Sequence, residues 1–176
     1  AGADTIVVDK TGTLTQGRPV LTDVLPVTGS TLDADALLSI ADGLERGSEH
    51  PLAAAIAAAA EQRNLQPKQV TSFEAVTGKG VLARLGRRQI AFGNASLMAA
   101  EGVVLGDAVA QADALRTSGK TVMYLAMGKK LAGLIAVADP IKSNARVSLD
   151  AVRKDGLKIV LATGEDRRTA AAVARA

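Results

Sequence analysis

The sequence predicts an α/β chain in two parts: a parallel-strand domain assembled from both chain ends, and an antiparallel sheet with flanking helices inserted into it. Three observations lead there. Two short, largely apolar runs, Thr5 to Val8 and Leu157 to Ala162, stand near opposite ends of the 176 residues, and each gives way to polar residues. Such runs are the pattern of parallel strands buried on both faces. Between them the pattern changes to half-buried alternation broken by glycine turns, which is how antiparallel sheets read. The expected division is residues 1–17 and 139–176 for the discontinuous domain and 18–138 for the insertion.

The elements run in chain order. The first strand ends at Asp9. Asp33 has the side chain to cap a helix running to Glu45, with Gly47 just past its end. Pro51 suits the first position of a second helix, Pro51 to Arg63, because its missing N–H would be unsatisfied there anyway. After Pro67 come strands at Val81–Leu85, Gln89–Phe92, Val122–Met127 and Lys130–Val137, separated by Gly86, Gly93 and Gly128-Lys129. A helix from Asp107 to Thr117, closed by Gly119, precedes the last two. From Asp139-Pro140 onward a helix over Ser143–Lys154 leads through Gly156 to the second buried strand, a βα pattern.

Composition narrows the function classes. Apolar residues make up 48%, yet the aromatics are only Phe73, Phe92 and Tyr124, so the core is built from Ala, Val, Leu and Ile. No run approaches the ~18 apolar residues that cross a bilayer. No secretory or lipidation signal is evident at the N-terminus, and the expectation is a soluble, monomeric piece. With no cysteine and one histidine there is neither a disulfide nor a thiolate or multi-imidazole metal site. A net charge of +3 spread over dispersed basic pairs gives no nucleic-acid platform.

Chemistry concentrates in Asp9-Lys10-Thr11-Gly12-Thr13-Leu14-Thr15, directly after the first buried strand. Open α/β sheets place reactive groups at this edge. Asp9 is a carboxylate held at a strand tip and followed by Thr and Gly, whose hydroxyl and N–H groups can surround a phosphoryl group, with Lys10 adding positive charge. An aspartyl phosphate stays high in energy and can drive further work. Phosphatases built on this plan have a second Asp two residues on, to protonate the leaving group and activate water. Thr11 does neither well, so a phosphoenzyme here should persist.

These seven residues resemble the signature of P-type ATPases. Ser48-Glu49-His50-Pro51-Leu52-Ala53 is similar to the histidine-proline motif of the heavy-metal-transporting branch, and the resemblance spans essentially the whole chain. It implies that the chain ends form a partial Rossmann-like phosphorylation domain of the haloacid dehalogenase type. It further implies that Asp9 is phosphorylated, that Thr11 helps hold phosphate and Mg²⁺ beside Asp9, and that Thr163 and Gly164 line the same pocket. The family has Asp after that Gly where this chain has Glu165-Asp166. Glu45, His50, Gly78, Gly80, Gly93 and Asn94 match the branch's nucleotide pocket in order. Physically, His50 ahead of Pro51 would sit at a helix mouth, where phosphate is favoured and an imidazole can stack on adenine. Glu45 would accept from the adenine amino group, the glycines would let backbone approach ATP, and Asn94 would bind ribose or phosphate.

By the same resemblance, a hinge near Gly17-Arg18 and Asp139-Pro140 swings the γ-phosphate toward Asp9. The parent sits in the cell membrane with this region cytoplasmic, and its transmembrane and actuator domains are the expected partners. The family's later Lys and GDGxND segment do not occur before Ala176, so the chain is expected to bind nucleotide while phosphorylating Asp9 poorly. Two rivals stay open: a phosphatase or phosphotransferase with a cap domain, and a nucleotide-binding module with a vestigial Asp9. Two look-alikes are rejected. Gly78 to Ala83 fits a relaxed dinucleotide pattern, but the residues after it alternate like a strand rather than opening a helix. Gly119-Lys120-Thr121 resembles the end of a P-loop, but the glycine required five residues earlier is Ala114.

Overall fold

The computed structural model describes residues 5–9, 16–46, 48, 51–140 and 158–162, with 5–9, Pro51 and 158–162 described as backbone alone. Strand β1 (Thr5–Asp9) pairs in parallel with β8 (Lys158–Ala162), in a register that sets Val7 opposite Val160 and Asp9 opposite Ala162. The two apolar runs from opposite chain ends therefore meet as adjacent parallel strands. Asp9 is the last residue of its strand, at the C-terminal edge where such sheets expose their reactive groups.

Between these strands, an antiparallel sheet of six runs in the order β2-β7-β6-β5-β4-β3. Its strands are β2 (Val20–Pro26), β3 (Thr71–Val76), β4 (Gly80–Leu85), β5 (Arg88–Gly93), β6 (Thr121–Met127) and β7 (Lys130–Ala138). Helices α1 (Ala34–Glu45) and α2 (Pro51–Gln62) cover one face, and α3 (Ala95–Ala100) and α4 (Ala108–Thr117) the other. The strand period of two feeds both cores: Ile90, Phe92 and Leu125 face α1 and α2, while Ala91, Tyr124 and Ala126 face α3 and α4.

Helix α1 starts where a short carboxylate can take an orphan amide: the Ala36 N–H donates to Asp33 Oδ1 at 2.8 Å. Leu37, Leu38, Ile40 and Leu44 then bury completely or nearly so, each worth about 1.5–3 kcal/mol relative to exposure. Pro51 opens α2 as expected. Helix α4 closes at Gly119, whose φ of +86° suits a residue without a Cβ and whose N–H donates to the Arg116 carbonyl.

Three elements were not foreseen. Strand β2 carries Pro26 and a bulge between Leu21 and Asp23, features tolerated because it lies at a sheet edge. Strand β3, at the other edge, is exposed along nearly its whole length, so it has no buried stripe to betray it. Helix α3, at six residues, is too short to show a period. The helix expected over 143–154 lies outside the described residues.

Candidate nucleotide cleft and strand-tip aspartate

A cavity of ≈ 630 Å³ opens at the end of the six-stranded sheet on the α1 and α2 side. It gathers residues from distant parts of the chain. Glu45, at the C-terminus of α1, is buried to 9% exposure and lines it. Ser48 and Leu52 line it as well; they flank His50 by two residues on either side, and His50 itself lies outside the described residues. The turn Gly78-Lys79-Gly80 forms a further wall with Asn94. Leu52, Val76, Val81, Met123 and Val137 make much of the remaining surface apolar, and Lys79 is the one basic residue among the described lining. Such a combination of apolar walls with a few polar groups is the composition of small-molecule sites.

The glycines divide by role. Gly78 has φ +71° with open space where a Cβ would stand, so its turn conformation is what needs glycine. Gly80 has φ +144° and faces Gly93 in the β4–β5 register, and a Cβ at Gly80 would overlap the Phe92 carbonyl oxygen. A Cβ at Gly93 would overlap the Lys79 carbonyl oxygen and crowd Leu97. Gly93 does not line the cavity. It lies buried beneath the turn, and its missing side chain makes room for Lys79. Asn94 caps α3, accepting from the Leu97 N–H at 3.0 Å, while its Nδ2 donates to the Gly78 carbonyl at 2.9 Å.

Sequence reasoning did not single out Lys79, and it named Gly17-Arg18 and Asp139-Pro140 as a hinge without placing them in the cavity. Gly17, Pro19 and Asp139 line the cavity. The segments lie side by side, the Gln16 N–H donating to the Pro140 carbonyl at 2.8 Å and the Arg18 N–H to Asp139 Oδ1 at 3.3 Å. Gly17, Pro19 and Pro140 punctuate these stretches, which marks a boundary but does not point to a cavity wall. The P-loop look-alike resolves physically: Lys120 is drawn to Asp23, 2.6 Å away, although its neighbours Gly119 and Thr121 line the cavity. The dinucleotide look-alike runs straight into β4, a strand.

At the other site, β1 carries Asp9 to the edge beside Ala162. Lys10, Thr11, Thr163 and Gly164 lie outside the described residues, as do the side chain of Asp9 and the expected Mg²⁺ contacts. Among the described residues no three of His, Cys, Asp or Glu gather to hold a metal ion, and no helix is long and apolar enough to cross a membrane.

Comparison with known proteins bears on both sites. A family model described as "Hydrolase: haloacid dehalogenase-like hydrolase" matches residues 3–176. Over 172 residues, 98% of this chain and 20% of the relative, the sequence is 48% identical to a copper-transporting P-type ATPase of Rhizobium leguminosarum bv. viciae. A copper-exporting P-type ATPase of Bacillus subtilis is 43% identical over 98% of this chain and 21% of its own length. The chain thus spans about a fifth of the length of these relatives. The crystal structure of a zinc-transporting PIB-type ATPase in its E2·Pi state superposes with a TM-score of 0.79 at 29% identity, covering 98% of this chain and 28% of that one. A strand-tip aspartate on a parallel pair formed by the two chain ends, and a family match that runs through both, show that the chain belongs to the haloacid dehalogenase-like hydrolases, with heavy-metal P-type ATPases among its relatives.

Proposed function

We propose that this chain is the ATP-binding and aspartyl-phosphorylation region of a heavy-metal-transporting P-type ATPase. Its parent would couple ATP hydrolysis to movement of a metal ion across a membrane, with this region on the cytoplasmic side beside the transmembrane and actuator domains. The observation that carries the reading is the cavity itself. Glu45, Gly78, Gly80 and Asn94, scattered over the sequence, converge on it, and the residues flanking His50 line it too. Its relatives being P-type ATPases favours this reading over a phosphatase with a cap domain.

The apolar walls of Leu52, Val76 and Val81 suit the faces of an adenine ring, and the carboxylate of Glu45 suits its amino edge. Lys79 supplies positive charge for phosphates. A nucleotide filling the cavity would also touch Gly17 and Asp139, the segments that lead back to β1 and on to β8. Occupancy would then bear on the proposed hinge, and closing it would bring the γ-phosphate toward Asp9, where positioning accounts for most of phosphoryl-transfer catalysis. Mg²⁺ would neutralise charge on the phosphate oxygens when bound.

Calorimetric titration of the chain with ATP, with and without Mg²⁺, tests this. ATP should bind without needing Mg²⁺, and His50→Ala and Lys79→Ala should each weaken it about three- to tenfold, or roughly 0.7–1.4 kcal/mol, with unchanged melting temperature. Wild-type affinity in both variants would remove the cavity from nucleotide recognition and leave only the Asp9 motif.

A further inference from the structure

Asn94 has one amide with a single carbonyl oxygen and two N–H donors, and the protein engages both ends. Oδ1 accepts from the Leu97 N–H at 3.0 Å, Nδ2 donates to the Gly78 carbonyl at 2.9 Å, and the Asn94 main-chain N–H donates to the Lys79 carbonyl at 2.9 Å. Two of these bonds end on consecutive carbonyls of the Gly78-Lys79-Gly80 turn, and the third fixes Asn94 to the first turn of α3. The turn is otherwise closed by the Lys79 N–H donating to Val76 at 3.0 Å.

A turn with glycines on both sides of a lysine has a large conformational freedom when unpinned. Gly78 and Gly80 both hold positive φ. Nothing packs against the position a Gly78 Cβ would take, so side-chain packing does not fix that residue. What does is the backbone approach permitted by Gly80 and Gly93 together with the Asn94 amide. We infer that Asn94 serves nucleotide binding as a positioning residue, clasping the Gly78–Gly80 turn into the wall of the cavity instead of contacting ligand through its own amide. The inference rests on the nucleotide reading of the cavity. Its physical content is preorganisation: ordering the turn beforehand removes that entropy from the binding step.

Asn94→Ser separates the two roles. A serine still caps α3, but its hydroxyl cannot reach the Gly78 carbonyl at the same time. Asn94→Asp provides a second variant, capping equally well while presenting Gly78 with an oxygen that cannot donate. Hydrogen exchange of the Lys79 amide in the nucleotide-free chain, melting temperature and ATP affinity are read together. The clasp predicts exchange at Lys79 accelerated about tenfold in both variants, and ATP affinity lowered about three- to tenfold in Asn94→Ser, with the melting temperature held. Unchanged exchange in both variants with lost affinity would make the amide a direct ligand contact and overturn the inference. Faster exchange with wild-type affinity would overturn it too, by showing that turn position is irrelevant to binding. If the wild-type chain fails to bind ATP, the nucleotide reading falls, and the exchange result still decides whether the clasp exists.

Discussion

The two faces of the six-stranded sheet are unequal. Against α1 and α2 stand large side chains, with Leu37, Leu38, Ile40, Ile56, Ile90, Phe92, Leu125 and Ile135 all within 1% of full burial. Against α3 and α4 the core is smaller and richer in alanine. Helix α4 buries only Ala108 and Ala112, Val109 is 43% exposed, and Val104 ahead of that helix is 82% exposed. The cavity draws Leu52, Val81, Met123 and Val137 from the first face and only Val76 from the second. One sheet thus divides its labour: the better-filled face fixes the walls of the cavity, and the other braces the strands from behind, reaching the cavity chiefly through the Asn94 cap of α3.

Matched truncations test that division with the largest effects. Phe92→Ala removes a fully buried ring from the first face and should cost about 3–5 kcal/mol, and Leu134→Ala on the second about 2–5 kcal/mol. Denaturant melts would measure both losses. The division predicts a difference in ATP affinity among the molecules still folded. Phe92→Ala should weaken binding, because the Phe92 backbone meets Gly80 at the cavity wall, while Leu134→Ala should leave affinity within about twofold, as a distant and independent site would. Equal affinity losses would show that the faces are not separable.

The same inequality decided what could be read from the sequence. Strands β4 to β7 announced themselves through alternation and the turns at Gly86 and Gly128, both with positive φ, because they are central and half-buried. The edges did not: Thr71–Val76 has no buried stripe, and Val20–Pro26 is interrupted by Asp23 and a proline. In the cavity, Glu45, Gly78, Gly80 and Asn94 were identifiable by a resemblance that matches their order along the chain, whereas Lys79 and Pro19 were not, and Gly17 and Asp139 were read only as part of a hinge, since folding alone brings them to one place. The Asn94 cap is the instructive omission. Asn three residues before a buried leucine is an ordinary helix-start signal, and the assignment of Asn94 to ligand recognition overlooked it.

A smaller effect sharpens the first face. Gly43 lies inside α1, where alanine normally gains about 1 kcal/mol over glycine. Here a Cβ would overlap the Lys68 carbonyl oxygen, a backbone atom held in place by the Lys68 N–H donating to Ser39 at 2.9 Å. Overpacking of that kind costs about 1–3 kcal/mol, so it should exceed the propensity gain, and Gly43→Ala should lower the melting temperature. Because Glu45 lies two residues further along, at the cavity, ATP affinity should fall with it. A raised melting temperature would mean that the segment around Lys68 yields to α1, and that this face owes its order to side chains alone.

The smallest effect belongs to the second face and has a pH signature. Asp23, which alternates with Val24 and so shares the side of Leu25, meets Lys120 at 2.6 Å and accepts from the Thr22 hydroxyl at 2.7 Å. Burial pushes the Asp23 carboxyl up, but the hydrogen bonds from Lys120 and Thr22 and the Lys120 charge outweigh it and hold the group below its ordinary 3.8. A carboxyl with a lowered folded-state pKa stabilises the fold above its unfolded value and loses that contribution as pH falls through the folded one. Lys120→Met should therefore cost about 1 kcal/mol near neutrality, the pair being only about a quarter exposed on each side. The difference from wild type should shrink as pH drops below 3.8. A deficit that persists undiminished in acid would assign the effect of Lys120 to its aliphatic stem packed on the sheet rather than to its charge, and would leave the second face without an electrostatic tie between β2 and the start of β6.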